Sequence, residues 1–496
     1  MRHYALMILA LAGAMMLTGC RDEKKEYNPQ SLDDLKGHTI CVLEGSMQQD
    51  YALKHLRDTS MHFISLGSTT DCMVAVNQGK ADGFFASELH AYTDGFKRNH
   101  MRLACSVNEI APPISMCVRK GNDALREDYN AFQDSLERCG ELERSVKRWF
   151  NPNITDYHNI LVIAPTDGKA GSEERVLRVG TSSVSPPCEV MIDNKWSGLE
   201  IELLQRYAAS RGMGISIDTY EFASLIPALK AGKIDVAANM IAVTEEREKK
   251  IDFTHAYTHG VAAILTADPS YKEEKTLGES LKESIYYSLL YENRWKMLVD
   301  GLWITLIVSV TSLMLGLVLG GGICWMTMNR RKALRIAGKT YLYLLRNLPM
   351  LVLLMLMFYV ILAHTGLPTI VIAIIAFGMN SSAYISEIYR TGIQSVDKGQ
   401  REAGLAMGFT PVQTFWYFIG PQALNKALPV LKNEAVSLLK GTSIVGYISV
   451  IDLTKASDMI RNSSFEAFIP LLVVSLVYFF LAWLFTMVID LLAKRV

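Results

Sequence analysis

Hydrophobic positions fall into two regimes along the 496 residues, and the change comes near residue 300. Before it, apolar runs are short and alternate with polar stretches. "TICVL" (39–43), "FISL" (63–66), "VLRVGTSS" (176–183) and "ISIDTYEF" (215–222) predict strands set between helix-like segments and glycine turns. The plan occurs twice, since Gly79-Lys80-Ala81-Asp82 is echoed by Gly232-Lys233-Ile234-Asp235. Alternation of this kind predicts α/β lobes with mostly parallel strands. Beyond residue 300 the apolar runs lengthen into five segments, about 302–326, 341–362, 367–386, 429–451 and 468–492, each long enough to cross a bilayer. Between the third and fourth lies "KGQREAGLAMGFTPVQTFWYFIGPQAL" (398–424), too polar to cross.

Charge fixes the direction of these segments. The first loop between them, "MNRRKALRIAGK", holds Arg330, Arg331, Lys332, Arg335 and Lys339 and no acid, which predicts a cytoplasmic loop. Residues before 302 are then outside, and 387–427 and the C-terminus are cytoplasmic. The N-terminus agrees: Arg2 and His3 precede an apolar run from Ala5 to Leu17 and small residues, the shape of an export signal. Leu17-Thr18-Gly19-Cys20 resembles the lipobox of bacterial lipoproteins, which implies a signal over 1–19 and lipidation at Cys20; an uncleaved anchor with an incidental Cys20 is the alternative.

Composition narrows the chemistry. Fifty basic and fifty acidic residues balance, so no nucleic-acid footprint is indicated. Of the eight cysteines, Cys41, Cys72, Cys105, Cys117, Cys139 and Cys188 face an oxidising compartment, in a spacing that matches no metal or redox motif and leaves the pairing open. His255 and His259 stand at i, i+4 without the glutamate of a zinc-protease helix, so neither metal nor cofactor is expected. Gly338-Lys339-Thr340 has Ala333 where a phosphate loop needs glycine. No ATPase is therefore encoded, and the protein is not an enzyme by itself.

In the first half, two Gly/Ser loops that follow strands, Gly45-Ser46 and Gly180-Thr181-Ser182, offer backbone N–H groups to an anion. "VLRVGTSSVSPPCEVMIDNKWSGLEIELLQRYA" and "FASLIPALKAGKIDVAANMIAVTEEREKKIDFTHAYT" resemble the first lobe of the solute-binding proteins of polar amino-acid ABC importers. "SLDDLKGHTICVLEGSMQQDY" through "ISMCVRKGN" to "RSVKRWF" resembles the second lobe and the returning tail. The order is reversed, which implies a circular permutant joined through 151–175; two unrelated half-domains are the alternative. The resemblance implies a ligand site of Arg247, Thr244, Phe222, Gly45, Ser46, Glu88 and Ser182, with Arg247 gripping an α-carboxylate and Phe222 walling the ligand. Ala242, Cys188, Ser185 and Ser87 depart from the family pattern, and the ligand stays open.

In the second half, Glu402-Ala403-Gly404, then Gly408 and Pro421, resemble the "EAA" loop of ABC importer permeases. "RNLPMLVLLMLMFYV", "AYISEIYRTGIQSVDKGQ" and "GTSIVGYISVIDLTKAS" resemble their polar amino-acid branch. This implies a short helix at about 401–407, stopped by Gly408, that docks an ATPase subunit, with Gly404 weakening the helix. Asn433 and Ser437 are candidates for a translocation path.

The fold expected is an α/β two-lobed periplasmic-binding-protein-like domain followed by an all-α, five-span transmembrane permease of ABC importer type I. Its divisions are a signal peptide (1–19), a linker (20–31), lobe II plus tail (32–150), a linker (151–175), lobe I (176–270), a juxtamembrane linker (271–296) and the permease domain (297–496). The function expected is that of a fused solute-binding and permease subunit of an ATP-dependent importer for amino acids in a bacterial inner membrane. Its expected partners are separate ATPase subunits, a second permease, either a copy of this chain or a relative, and a small amino acid. A membrane-anchored sensor without transport and a ligand-gated channel are the alternatives.

Overall fold

The computed structural model describes residues 27–56, 60–151, 157, 160, 175–182, 185–268 and 276–493. The signal segment, Cys20 and most of the expected 151–175 linker lie outside the described residues.

The first half is α/β. Strands β1 (Thr39–Leu43), β2 (His62–Leu66) and β3 (Gly83–Ser87) run parallel, separated by helices α1 (Met47–His55) and α2 (Thr69–Asn77). A short helix, α3 (Asp94–Arg98), leads into β4 (Met101–Val107). The chain then passes through β5 (Pro113–Ile114) and β6 (Cys117–Arg119), and continues as α4 (Asp123–Arg138) and α5 (Glu141–Trp149). After the linker come β7 (Val176–Thr181), the hairpin β8 (Val190–Ile192) and β9 (Lys195–Ser197), α6 (Leu199–Ser210) and β10 (Gly214–Thr219). Helix α7 (Leu225–Lys230), β11 (Val236–Ala237), α8 (Glu245–Glu248) and β12 (Ile251–Phe253) follow, and then β13 (Thr258–His259) and β14 (Ala262–Ala267).

These strands form two five-stranded sheets, ordered β2-β1-β3-β14-β4 and β10-β7-β11-β6-β12. Each sheet therefore takes one strand from the other run of chain. Strand β6 lies antiparallel between β11 and β12, and β14 lies antiparallel between β3 and β4. The chain crosses between sheets at β5 and β13, which pair antiparallel as Ile114↔Thr258 and Pro113↔His259.

The sequence echo has a shared structural cause. Gly79 and Gly232 adopt φ of +71° and +68°, left-handed backbone in which glycine meets no steric cost. Three residues later an aspartate grips the start of the neighbouring strand. Asp82 accepts from Thr39 N at 2.8 Å and its own N–H donates to Thr39 O at 2.7 Å. Asp235 does the same to Arg178, at 3.0 and 2.7 Å. Each sheet buries its own apolar set, Ile40, Val42, Phe85 and Ile264 in one and Leu177, Val179, Leu203 and Leu204 in the other.

The second half is helical. A helix α9 (Leu277–Ile285) and a collar to Arg294 lead into α10 (Trp295–Met328), followed by α11 (Lys332–Asn347), α12 (Met350–Leu356) and α13 (Thr369–Gln394). Then come α14 (Lys398–Ala406), α15 (Pro411–Thr414), α16 (Gly420–Gly441), α17 (Leu453–Ser464) and α18 (Phe468–Ala493). Among the described residues three helices are long and apolar enough to cross a membrane, Trp295–Met328, Thr369–Gln394 and Phe468–Leu491. Two bent pairs raise that to five if each is one crossing.

The expected segment 341–362 is not one straight helix. It breaks at Leu348-Pro349, where the two helical pieces meet at 109°. Proline lacks the N–H that would continue the ladder, and its ring clashes with the preceding turn. Helices α10 and α13 pack closely because a Cβ at Gly316 or Gly320 would press on Ser381 and Ile385, at 3.2 and 2.9 Å. Gly338, in the non-matching phosphate-loop stretch, is a packing glycine against Thr327.

Candidate functional site

Two regions concentrate functional chemistry. The first is the cleft between the sheets, where a cavity of about 80 Å3 is lined by Ser46, Phe84, His90, Phe222, Asn239 and Arg247, among others. Helix α8 supplies Arg247. Thr244 is the N-cap of that helix, its hydroxyl accepting from Arg247 N at 3.4 Å. The guanidinium is buried, and both of its branches are already engaged. One donates to Ala242 O at 3.0 Å, the other crosses the cleft to Gly45 O at 2.8 Å. Burial lowers its pKa, and the two carbonyls are what the charge has in place of water.

Gly45, at φ +74°, lets the loop approach this closely: a Cβ there would sit 3.2 Å from that of Ala223, beside Phe222. Ser46 is buried and caps α1, accepting from Gln49 N at 3.1 Å. Across the rim, Lys54 pairs with Glu246 at 2.7 Å. The two sheets are thus closed on one another.

Arg247, Phe222 and Ser46 come together around the cavity, with Gly45 and Thr244 holding Arg247. Glu88 and Ser182 do not line it. Glu88 opens the turn after β3, while its neighbours Ser87 and His90 face the cavity. His90 holds Nδ1 3.1 Å from Ser87 O, and burial lowers its pKa, which favours the neutral imidazole. The Ser182 hydroxyl donates to Asn239, and it is Asn239 that reaches the cavity.

Sequence reasoning missed what lies behind Asn239. Its Nδ2 donates to Glu189 at 3.2 Å, and Met240 N, on a residue forced to φ +49°, donates to Glu200 at 3.2 Å. Glu200 also accepts from Tyr257 OH at 2.7 Å. Both carboxylates are completely buried. Burial first, then the neighbouring Glu200, pushes the Glu189 carboxyl well above the usual range, which favours its neutral form. The signal was in "CEV" and "GLEIEL", acids inside otherwise apolar runs.

The second region is at the far end of α13. Helix α14 starts one turn earlier than the expected 401, because Asp397 caps it by accepting from Gly399 N at 2.7 Å. It ends in a Schellman motif: Gly408 N bonds Leu405 O at 3.1 Å, Phe409 N bonds Gly404 O at 3.1 Å, and Gly408 has φ +86°. Glu402 and Ala403 face outward, whereas Gly404 is buried. A Cβ at Gly404 would lie 2.6 Å from Thr414 Cγ2, so the missing side chain is what lets α14 pack on α15. Around them Met407, Val412, Trp416 and Tyr417 are exposed, each by 60–69%.

On α16, Asn433, Ser437 and Lys440 share one exposed face. Glu434 turns the other way and accepts from Ser381 of α13 at 2.8 Å. All cysteines among the described residues are free thiols, and His255 contacts Asp134 at 2.9 Å.

Residues 312–496 match the family described as "Binding-protein-dependent transport system inner membrane component". The chain is 35% identical over 210 residues to the probable glutamine ABC transporter permease protein GlnM of Bacillus subtilis, a match spanning 42% of this chain and 96% of that protein. It is 30% identical over 218 residues to the L-cystine transport system permease protein TcyB of the same organism, spanning 44% and 93%. Among solved structures, an amino acid ABC transporter crystallised with histidines is 31% identical, covering 45% of this chain and 99% of that one with a TM-score of 0.39.

Proposed function

The chain belongs to the family of binding-protein-dependent transport system inner membrane components, and from that premise we propose a receptor and permease in one subunit of an ATP-dependent importer for polar amino acids. The C-terminal half is the permease domain, a transport component and not an enzyme. The observation that carries the proposal is the 35% identity over 96% of a glutamine-transporter permease, on a chain that also holds a closed two-sheet cleft.

In this reading the α/β half is a permuted, two-lobed solute-binding domain outside the membrane, anchored at Cys20. The first sheet is lobe II and the second is lobe I. Ligand enters when the lobes part, and Arg247 exchanges its carbonyl partners for a carboxylate. A separate ATPase seats on α14 and α15, where Glu402 offers charge and Met407, Trp416 and Tyr417 offer apolar area that is otherwise left in water. A second copy covers the face of Asn433, Ser437 and Lys440. Polar groups on a membrane helix are costly against lipid, and a wet path between two copies removes that cost.

The test is uptake of labelled amino acids by proteoliposomes that hold the full chain and its co-purified ATPase. ATP-dependent uptake, lost on replacing Glu402 and Gly408 by bulky residues, is expected. Binding without uptake would favour the sensor reading, and neither binding nor uptake of any amino acid would overturn the substrate assignment.

A further inference from the structure

The α/β half rests on the helical half through two junctions of different kinds. Under the second sheet the junction is apolar and continuous. Tyr220, Leu225 and Ile226 belong to one packed cluster with Leu362, Ile448 and Val450 of the helical half. Lys233 adds a bond to Ala363 O at 3.0 Å, with its ammonium 4.5 Å from the centre of the Phe358 ring. Lys455, at the start of α17 and 7% exposed, pairs with Glu221 at 2.8 Å. Detaching this sheet would expose the cluster and strand a buried ammonium.

Under the first sheet the contacts are few. Arg461, near the end of the same α17, pairs with Asp71, and its carbonyl accepts from the Thr70 hydroxyl at 3.4 Å. Beyond the helix Phe465, at φ +57°, stands edge-on to Phe96 with ring centres 5.7 Å apart. It occupies the space that a side chain on Gly95 would fill, since a Cβ there would lie 2.0 Å from the Phe465 ring.

Between the sheets themselves the links are equally sparse. The backbone crosses at β5 and β13, and Arg247–Gly45 and Lys54–Glu246 tie the rims. The first sheet also carries β14, whose end leads through α9 and the collar into α10.

We propose that α17 and Phe465 form a seat on which the second sheet is fixed and the first sheet swings, so that this chain reads cleft closure through one lobe only. The first sheet has the smaller apolar hold on the helical half, through Phe465 and a stack of Arg98 on Tyr287 of the collar at 4.0 Å, and its exit strand is the one joined covalently to a membrane-crossing helix. Its position is passed on twice, by the Phe465 latch at one end of α17 and by the collar at the top of α10. Both lobes sit on the helix of a single copy, so closure is sensed within one chain. The role given to closure rests on the receptor-permease reading above.

Hydrogen exchange on the full chain in nanodiscs, with no amino acid added, tests the seat. In Phe465→Ala, amides of the cleft rim (45–49), of α2 and of the collar (286–294) should exchange about tenfold faster, while those of α7 and of 448–453 keep their rates. Arg461→Gln, which leaves the aromatic plug in place, should shift the same segments by about threefold and supplies the answer if the first variant folds poorly. Acceleration confined to 94–99 would mean a local packing defect and overturn the proposal. Equal acceleration in α7 would mean that the whole α/β half lifts as one body, and would overturn it as well. Because no ligand is present, a failure of the amino-acid assignment leaves this result readable, and the reverse holds too.

Discussion

The cleft and the α14–α15 surface are opposites in how their polar and apolar groups are satisfied. In the cleft every branch of Arg247 is spent on a carbonyl of its own chain, and Gly45 fits against Phe222 and Ala223. On α14–α15 the interior is closely packed, with Gly404 against Thr414 and a complete Schellman end, yet Trp416 and Tyr417 are left exposed. A site satisfied by its own chain must, in the proposed reading, break bonds to accept a ligand. A surface left uncovered by its own chain is where the proposed ATPase would seat. Similar residue counts would not separate the two, whereas the partners of each group do.

The contrast can be broken most sharply at Gly404. Gly404→Leu drives a side chain into Thr414, at a cost of about 1–3 kcal/mol of local packing, and ATP-driven uptake should fall at least about tenfold while ligand-free cleft stability stays the same. Trp416→Ala should weaken co-purification of the ATPase by roughly tenfold or more with no change in Tm, as expected of an exposed aromatic anchor. An unchanged yield of ATPase would remove this surface from the interface.

In the cleft, Arg247→Ala should lower the ligand-free Tm of the α/β half, through a loss of about 2 kcal/mol of stability for two charge-assisted bonds. A purely ligand-binding arginine would leave that Tm alone, so calorimetry without amino acids separates the roles. Arg247→Lys should not rescue, because one ammonium lacks the fork that spans both carbonyls.

The next effect is one of pH. The folded pKa of Glu189 is raised, so the folded state keeps a proton that the unfolded chain releases above the ordinary carboxylate value. Its contribution is complete below that value and declines as pH rises toward the folded pKa. Glu189→Gln, which keeps the acceptor for Asn239, should therefore flatten the fall in stability as pH rises above the ordinary carboxylate value, read as the slope of Tm against pH. An unaltered slope would mean that the proton is held elsewhere. Smallest of all, Lys54→Ala removes an exposed pair, and no resolvable shift in Tm is expected.

How much of this was legible depended on whether a feature is local. The Gly-Lys-X-Asp echo, the Gly408 stop and the outward Glu402 are set by neighbours a few residues away, and the sequence pattern exposes them. The break at Pro349 was also local, and an apolar count over 341–362 overlooked it. Gly404 read as a weak helix residue because propensity says nothing of Thr414 ten positions on. The placement of β14 was beyond reach, since a six-residue run that is apolar but for Thr266 carries no address for the sheet it joins. The buried pair of Glu189 and Glu200 needed the fold to bring two acids together behind Asn239.

The seat of β14 between β3 and β4 also sets an order in time. Strands β3 and β4 are both made before it, and neither can close on the other without it. Until residue 267 has left the ribosome the first sheet exists as two pieces with raw inner edges, the kind of surface that recruits stray strands. The latest strand of the α/β half is thus the keystone of its earliest sheet, which makes assembly slow and nonlocal. Helix α10 is made later still, after α9 and the collar, so the keystone strand precedes it in synthesis.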